Sequence, residues 1–474
     1  MTKLNLRRAL CMLAIASGTL VTAGCGGGSA DPVIIGPAAA PEAAPTKSAC
    51  PTRDSTGAAL AVDVPANTNC YTGTNSKGSA YIIAVPPNWN GRLLLHAHGG
   101  PDISPNPDRA VEVLDRWDIM VRAGYALAGT AFQPGVEVRR AAEDTERLRG
   151  IFRAHIARPN MTILHGQSWG ASVAAKAAET YTRDTVGEVP YDAVLLSAGV
   201  LAGGTRSYDF RTDIRVIYQH LCNNHPRPTE TQYALNLGFP AGVTAPTNAN
   251  LTTRVNECLA LNRPASERTQ EQAAKIATLL GAVKIAENQI VSHLAWGTRH
   301  FQDISQRYGA SPFGNTGAVY TGLANAAALN ASVQRFKADA TAYQKFAEDA
   351  DYAGRIPVPV LSVKWVDDPT AFVELDAHFK TLMQQSGTAD GLVQTFVSAA
   401  ESHSYISDAT YVTLLTSLSQ WVIAGQKPTA LSISENCPAA ATAFGAGLTC
   451  KFIPTYMPPS LESRVPARER PPTN

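Results

Sequence analysis

Gly166-Gln167-Ser168-Trp169-Gly170 is the stretch of this chain whose residue types and spacing could do covalent chemistry. A serine hydroxyl is a weak nucleophile on its own. It needs a base to take its proton, an acid to orient that base, and N–H donors to receive the developing oxyanion. The pentapeptide lies between the apolar run Met161-Thr162-Ile163-Leu164 and an alanine-rich run from Ala171 to Ala178. Strand, G-x-S-x-G turn and helix in immediate succession are what a nucleophile elbow requires. Such a turn strains the serine backbone and admits only small residues two positions to either side. Ser168 is therefore expected to stand clear of a sheet, near the positive end of the following helix.

Each partner can be sought at a definite place. For the oxyanion, His98-Gly99-Gly100-Pro101 follows an apolar strand upstream of the elbow. Gly99 and Gly100 let the backbone approach an acyl oxygen, and the Trp169 N–H supplies a second donor. An ordinary Gly-Gly-Pro turn is the plainer reading, and His98 reads as a structural partner of the loop. For the acid, Val366-Asp367-Asp368-Pro369 follows a late strand. Counted from that strand, Asp368 fits better than Asp367, and Asp209 or Asp213 is a weaker candidate. For the base, Glu401-Ser402-His403-Ser404-Tyr405 lies past the last strand, and of ten histidines only His403 lies in that loop. The chain order Ser168, Asp368, His403 is that of a strand–turn–helix hydrolase site.

The elements that must position these residues alternate. Ala80–Val85 and Arg92–Ala97 read as strands, followed by a helix over Arg109–Ala123, a strand over Tyr125–Ala131 and a helix over Val136–Ala157. Tyr191–Ser197 is the strand after the elbow. Near-continuous apolar strands between helices predict an α/β fold with a mostly parallel sheet covered on both faces. From Gly203 to Gly354 the pattern is helical without convincing strands. Its clearest run is Gln272–Trp296, with Ile276, Leu279, Val283, Ala286, Ile290 and Leu294 on one face. Strands resume at Pro357–Val363 and Val393–Val397, with a helix over Ala409–Ala424. Residues 56–202 and 355–430 thus read as two parts of one core, and 203–354 as a large helical cap inserted before the acid-bearing strand. Residues 431–474 read as a disulfide-stapled, Pro-rich tail that packs over the core without chemistry.

The 474 residues carry a net charge of +1, which gives no reason to expect a nucleic-acid partner. Lys3, Arg7 and Arg8 precede a short apolar run, Ala9–Val21, and residues 1–24 read as an export signal. The run is too short to span a bilayer as a mature helix. Thr22-Ala23-Gly24-Cys25 resembles a bacterial lipobox, so a lipid at Cys25 is the one expected membrane contact. The Gly-, Ala- and Pro-rich residues 25–55 read as a tether. The expected location is outside the cytoplasm of a bacterium: tethered at the outer membrane, periplasmic or secreted. Six further cysteines fall into sequence-local pairs, and Cys50–Cys70, Cys222–Cys258 and Cys437–Cys450 is the simplest disulfide connectivity. Their spacings do not suggest zinc ligands.

Elbow, His-Gly-Gly-Pro loop, late Asp-Pro and final-loop histidine together resemble the α/β-hydrolase superfamily, over about Ala80–Leu201 and Ile356–Gly425. His-Gly-Gly-Pro with Ser-Trp-Gly is similar to the prolyl-oligopeptidase-like and proline iminopeptidase-like members. Asp102 and Gln167 depart from the iminopeptidase pattern, so peptide specificity is not carried over. The resemblance implies the fold, the three roles above, and acyl transfer to water with no metal or organic cofactor. Carboxylic ester hydrolysis is the leading expectation, because an ester leaving group needs less protonation than an amine. An aminopeptidase or amidase is the alternative. It would need an acidic cluster for a substrate amine, for which Glu257, Glu287, Glu348, Asp349 and Asp351 are candidates. A surface binding module without catalysis is a third reading, opposed by the complete order of partners. In the cap, Trp296, Phe301, Tyr308 and Phe313 either line an apolar substrate site or form the cap's own core.

Overall fold

A computed structural model describes residues 41–184, 187–443 and 450–472. The residues read as an export signal, Cys25 and the first part of the span read as a tether lie outside the described residues. Nine strands form one sheet: β1 (Thr46–Ser48), β2 (Asn69–Thr74), β3 (Ala80–Val85), β4 (Arg92–Ala97), β5 (Ala126–Thr130), β6 (Met161–Gln167), β7 (Ala193–Ser197), β8 (Val360–Trp365) and β9 (Leu392–Val397). Their spatial order is β1-β2-β3-β5-β4-β6-β7-β8-β9. The pairs β1–β2, β2–β3 and β3–β5 are antiparallel, and every pair from β5 through β9 is parallel. The fold is therefore α/β with a mostly parallel sheet, as the strand patterning predicts.

Both faces of that sheet are buried, which is why its central strands are apolar without alternation. Leu93, Leu95, Leu164, Val194 and Leu196 point into one core, and Leu94, Ile163, Ala193 and Leu195 into the other. Helices α1 (Asp108–Arg122), α2 (Val138–His155) and α3 (Trp169–Thr180) connect the parallel strands in turn. Residues of α2 and α3 enter the first core, and those of α1 enter the second.

Between β7 and β8, which are neighbours in the sheet, the chain leaves for a helical excursion. It contains α4 (Gly204–Ser207), α5 (Asp209–Cys222), α6 (Asn248–Leu259), α7 (Gln270–Val283), α8 (Ile290–Tyr308), α9 (Ala326–Ser332) and α10 (Ala340–Ala350), and no strand among the described residues. The helix expected over Gln272–Trp296 is in fact two. Lys284 takes a left-handed backbone (φ 52°) that ends α7, and α8 starts six residues later. The apolar spacing runs on across the break because both helices face one core, so periodicity alone does not reveal it.

After β8, α11 (Glu374–Gln385) leads to β9, and α12 (Asp408–Ala424) and α13 (Ala430–Ala443) follow. The stretch read as a disulfide-stapled, Pro-rich tail opens within α13, which has Pro438 inside it. Further on, Arg468 is buried and reaches back to Asp213, so the C-terminal segment also fastens the cap. Strand β1 likewise lies within the span read as a tether. All three sequence-local disulfides are formed. Among the described residues no helix is long and apolar enough to cross a membrane.

Candidate active site

β6 delivers its last residue, Gln167, to a sharp turn, and Ser168 takes φ 56°, ψ −120° before α3 begins at Trp169. A non-glycine residue there costs on the order of 1–3 kcal/mol, held in place by its surroundings. The surroundings are specific. A side chain at Gly166 would be driven into the Gly170 carbonyl, and one at Gly170 into the Ala97 carbonyl. The Ser168 N–H donates to the Ser197 carbonyl (3.0 Å), which fastens the turn to β7. Ser197 in turn belongs to a buried chain beneath the elbow. His96 Nδ1 lies 2.9 Å from His165 Nδ1, and His165 Nε2 lies 3.0 Å from Ser197 Oγ. Burial pushes His165 down to about 3, so the ring is neutral and serves as scaffold.

His403 lies in the loop between β9 and α12. Its Nε2 is 2.7 Å from Ser168 Oγ, and its Nδ1 is 2.9 and 2.8 Å from the two carboxylate oxygens of Asp368. The Asp368 side chain is fully buried, and its Oδ1 also accepts the N–H groups of Thr370 and Ala371, each at 2.8 Å. Asp367 is exposed. Asp209 and Asp213 are committed elsewhere: Arg470 pairs with Asp209 at 2.5 Å and Arg468 with Asp213 at 2.7 Å.

Gly99 and Gly100 follow β4 and run beside the elbow. A Cβ on Gly99 would stand 3.0 Å from Ser168 Cβ and collide with Gln167 Oε1, so only glycine lets this backbone come so near. Gly100 has φ 70°. The Trp169 N–H opens α3, where a helix has no carbonyl of its own to bond. His98 donates through Nδ1 to the Gly99 carbonyl (3.1 Å) and packs on Phe132. Burial, and then Arg109, pushes His98 down to about 4. Asp102 pairs with Arg109 at 2.8 Å, which stiffens the same loop.

One supporting residue carries no sequence signal beyond its unusual type. Gln167 Nε2 donates to the His403 carbonyl (3.2 Å) while its Oε1 lies against Gly99. It therefore touches the histidine loop and the glycine loop at once.

The cap aromatics divide. Phe301 and Phe313 are wholly buried and stack on each other at 4.0 Å, with Phe346 at 5.5 Å from Phe313, so they form cap core. Tyr308 packs on Phe346 as well. Trp296 differs: it stacks on Tyr208 (4.2 Å) and His300 (4.5 Å). His300 Nε2 donates to the Pro101 carbonyl and His293 Nε2 to the Pro369 carbonyl, each at 3.3 Å. Helix α8 thus meets both the glycine loop and the Asp368 loop. The candidate acids for an amine are engaged elsewhere or exposed. Glu257 pairs with Arg227 and Glu287 with Arg268, each at 2.6 Å. Asp349 accepts the Val138 N–H, Asp351 accepts from Thr205, and Glu348 is exposed. Among the described residues no group of three or more His, Cys, Asp or Glu could hold a metal ion.

No family model matches the chain. Over 116 residues it is 29% identical to an o-phthalyl amidase of Xanthobacter agilis, a stretch that spans 24% of each protein. Similar solved structures include feruloyl esterase B from Aspergillus oryzae, at 13% identity and a TM-score of 0.44 over 82% of this chain and 88% of that one. Another is a tannin acyl hydrolase from Aspergillus niger, at 10% identity and a TM-score of 0.37 over 82% of this chain and 83% of that one.

Proposed function

We propose that this chain is an exported serine hydrolase that cleaves carboxylic esters through Ser168, His403 and Asp368. The observation that carries the reading is the unbroken line of contacts from a buried carboxylate through one imidazole to the hydroxyl of a strained turn. Asp368 accepts from Nδ1–H, which leaves the Nε2 lone pair facing Ser168 Oγ. His403 then takes the hydroxyl proton as Oγ attacks the acyl carbon. The oxyanion accepts the Trp169 N–H and an N–H of the Gly99–Gly100 segment. The tetrahedral adduct collapses as His403 Nε2–H protonates the departing alcohol, and water repeats the sequence in reverse to release the acid.

Amide cleavage is the second reading, favoured by the local similarity to the o-phthalyl amidase. The same groups would serve, with the proton from His403 becoming more critical to expel an amine. An aminopeptidase has less support, because the acidic residues that could hold a substrate amine are spread across separate ion pairs and backbone contacts. Export is supported by the signal-like N-terminus and by three disulfides, which persist in oxidising compartments. A lipid at Cys25 is part of the same proposal.

Profiling wild type and Ser168→Ala on nitrophenyl esters, aryl amides and aminoacyl nitroanilides tests this reading. Ester turnover that vanishes in Ser168→Ala is expected. Turnover of amides or anilides alone would overturn the esterase assignment, and turnover that survives the substitution would remove Ser168 from the chemistry.

A further inference from the structure

Arg211 in α5 is only 4% exposed, and its Nε has no hydrogen-bond partner. Among the described residues its guanidinium makes no hydrogen bond and no ion pair. It lies instead against three rings, 4.2 Å from the centre of Trp296, 4.6 Å from Phe210 and 5.2 Å from Tyr208. Its neighbour one turn on, Arg215, shows what a structural buried arginine looks like here. Arg215 Nη1 donates to the carbonyls of Gly238 (2.7 Å) and Gly297 (3.1 Å) and to Thr298 Oγ1 (2.7 Å). Cation–π contact recovers less for a desolvated guanidinium than removing the ion from water costs. Burial lowers the Arg211 pKa to about 10, which leaves a full positive charge at neutral pH.

The position of this charge gives it meaning. His293, Trp296 and His300 lie on one face of α8. His293 reaches the carbonyl of Pro369, next to Asp368, and His300 reaches that of Pro101, next to Gly100. Trp296 lies between them, and Arg211 lies over its ring. The charge also bears on both histidines. Arg211 thus packs on the face of α8 that meets both the acid loop and the glycine loop, the two loops that flank Ser168. Neither His293 nor His300 competes for an anion there, since burial holds them at about 3 and about 4 and both are neutral.

We propose that Arg211 is a specificity cation for a carboxylate carried by the substrate, so that the preferred substrates are monoesters or monoamides of dicarboxylic acids. A guanidinium offers paired N–H donors that match a carboxylate bidentately, and a buried one binds it without competition from water. The proposal rests on the hydrolase reading above and names its substrate class.

The test compares 4-nitrophenyl hydrogen dicarboxylates with 4-nitrophenyl alkanoates of matched chain length, across acyl chains of about four to eight carbons. Wild type is expected to favour the acidic ester in kcat/KM by about tenfold or more at one chain length, chiefly through KM. Arg211→Gln should bring that ratio to about one or below, Arg211→Lys should keep part of it, and Arg227→Gln in the outer cap should keep all of it. Should Arg211→Gln fail to fold, wild type still decides: adipate should inhibit neutral-ester turnover competitively, and adipamide should not. Turnover without carboxylate preference at any length, or equal losses on both series, overturns the role of Arg211. No turnover of any ester, with no labelling of Ser168 by a fluorophosphonate, contradicts the hydrolase reading instead.

Discussion

Asp368 presents both of its carboxylate oxygens to a single nitrogen of His403, at 2.9 and 2.8 Å from Nδ1. Two backbone N–H groups also hold Oδ1, so the carboxylate cannot turn away. The expected consequence is a fixed tautomer. Asp368→Asn should lower kcat by about 10³–10⁴ with little change in KM, because an amide stabilises the wrong tautomer. Asp367→Asn, at an exposed position, should stay within about twofold of wild type. Steady-state kinetics on one nitrophenyl ester check both, and equal losses would count against the assignment of Asp368.

Gly99 and Gly170 are tight for different reasons, and their alanine variants should separate. At Gly170 the new methyl meets backbone carbonyls of Ala97 and His98, which cannot move without shifting β4. Gly170→Ala should therefore lose stability and soluble yield. At Gly99 the first atom met is the end of the Gln167 side chain, which can swing. Gly99→Ala should fold and yet lose about 10²-fold or more in kcat as the oxyanion donors are displaced. Thermal unfolding beside kinetics tells the two apart. A stable, active Gly99→Ala would contradict the role given to that loop.

The Gln167 side chain supports the His403 loop and the Gly99 loop. Replacing it with leucine removes the donor to the His403 carbonyl. Gln167→Leu should reduce kcat by about tenfold, leave KM nearly unchanged, and be partly rescued by Gln167→Asn, which keeps an amide donor. A change in KM alone would point to substrate contact and not to positioning.

Acid should destabilise the fold before it alters the covalent structure. Burial holds His165 and His293 at about 3, and His98 and His300 at about 4, below the ordinary value of 6.5. Below pH 6.5 the unfolded chain takes up protons that these folded rings refuse. The stability they contribute is therefore full above about pH 6.5 and is lost as pH falls towards 4 and 3, at about 1.4 kcal/mol per histidine per pH unit. Melting temperatures should be flat from about pH 7 to 8 and fall steeply below 6.5. His293→Gln, which keeps a donor for Pro369, should fall less steeply. A flat profile down to pH 4 would show that these rings are not buried as described.

What the sequence discloses follows from local rules. Ser168, His403 and Asp368 each sit just past an apolar strand, and a parallel sheet gathers such ends along one edge. Their chain positions could therefore be read, and the structure brings the three within hydrogen-bond distance. The break at Lys284 could not, because a left-handed residue leaves the apolar spacing intact. Nor could the roles of the cap aromatics: Phe301 in the cap core and Trp296 facing the loops share one helix and the same residue class. Arg211 lies deeper still. What marks it is a guanidinium that meets three rings and no acid among the described residues, and that leaves no trace in the residues beside it in sequence.

The most direct test of the central claim is the mass of the Ser168 peptide after treatment with a fluorophosphonate, read beside ester turnover. A nucleophilic serine predicts one adduct per chain at Ser168, loss of turnover in proportion to labelling, and neither labelling nor turnover in Ser168→Ala. An adduct at another residue, or turnover that persists in fully labelled protein, would contradict it.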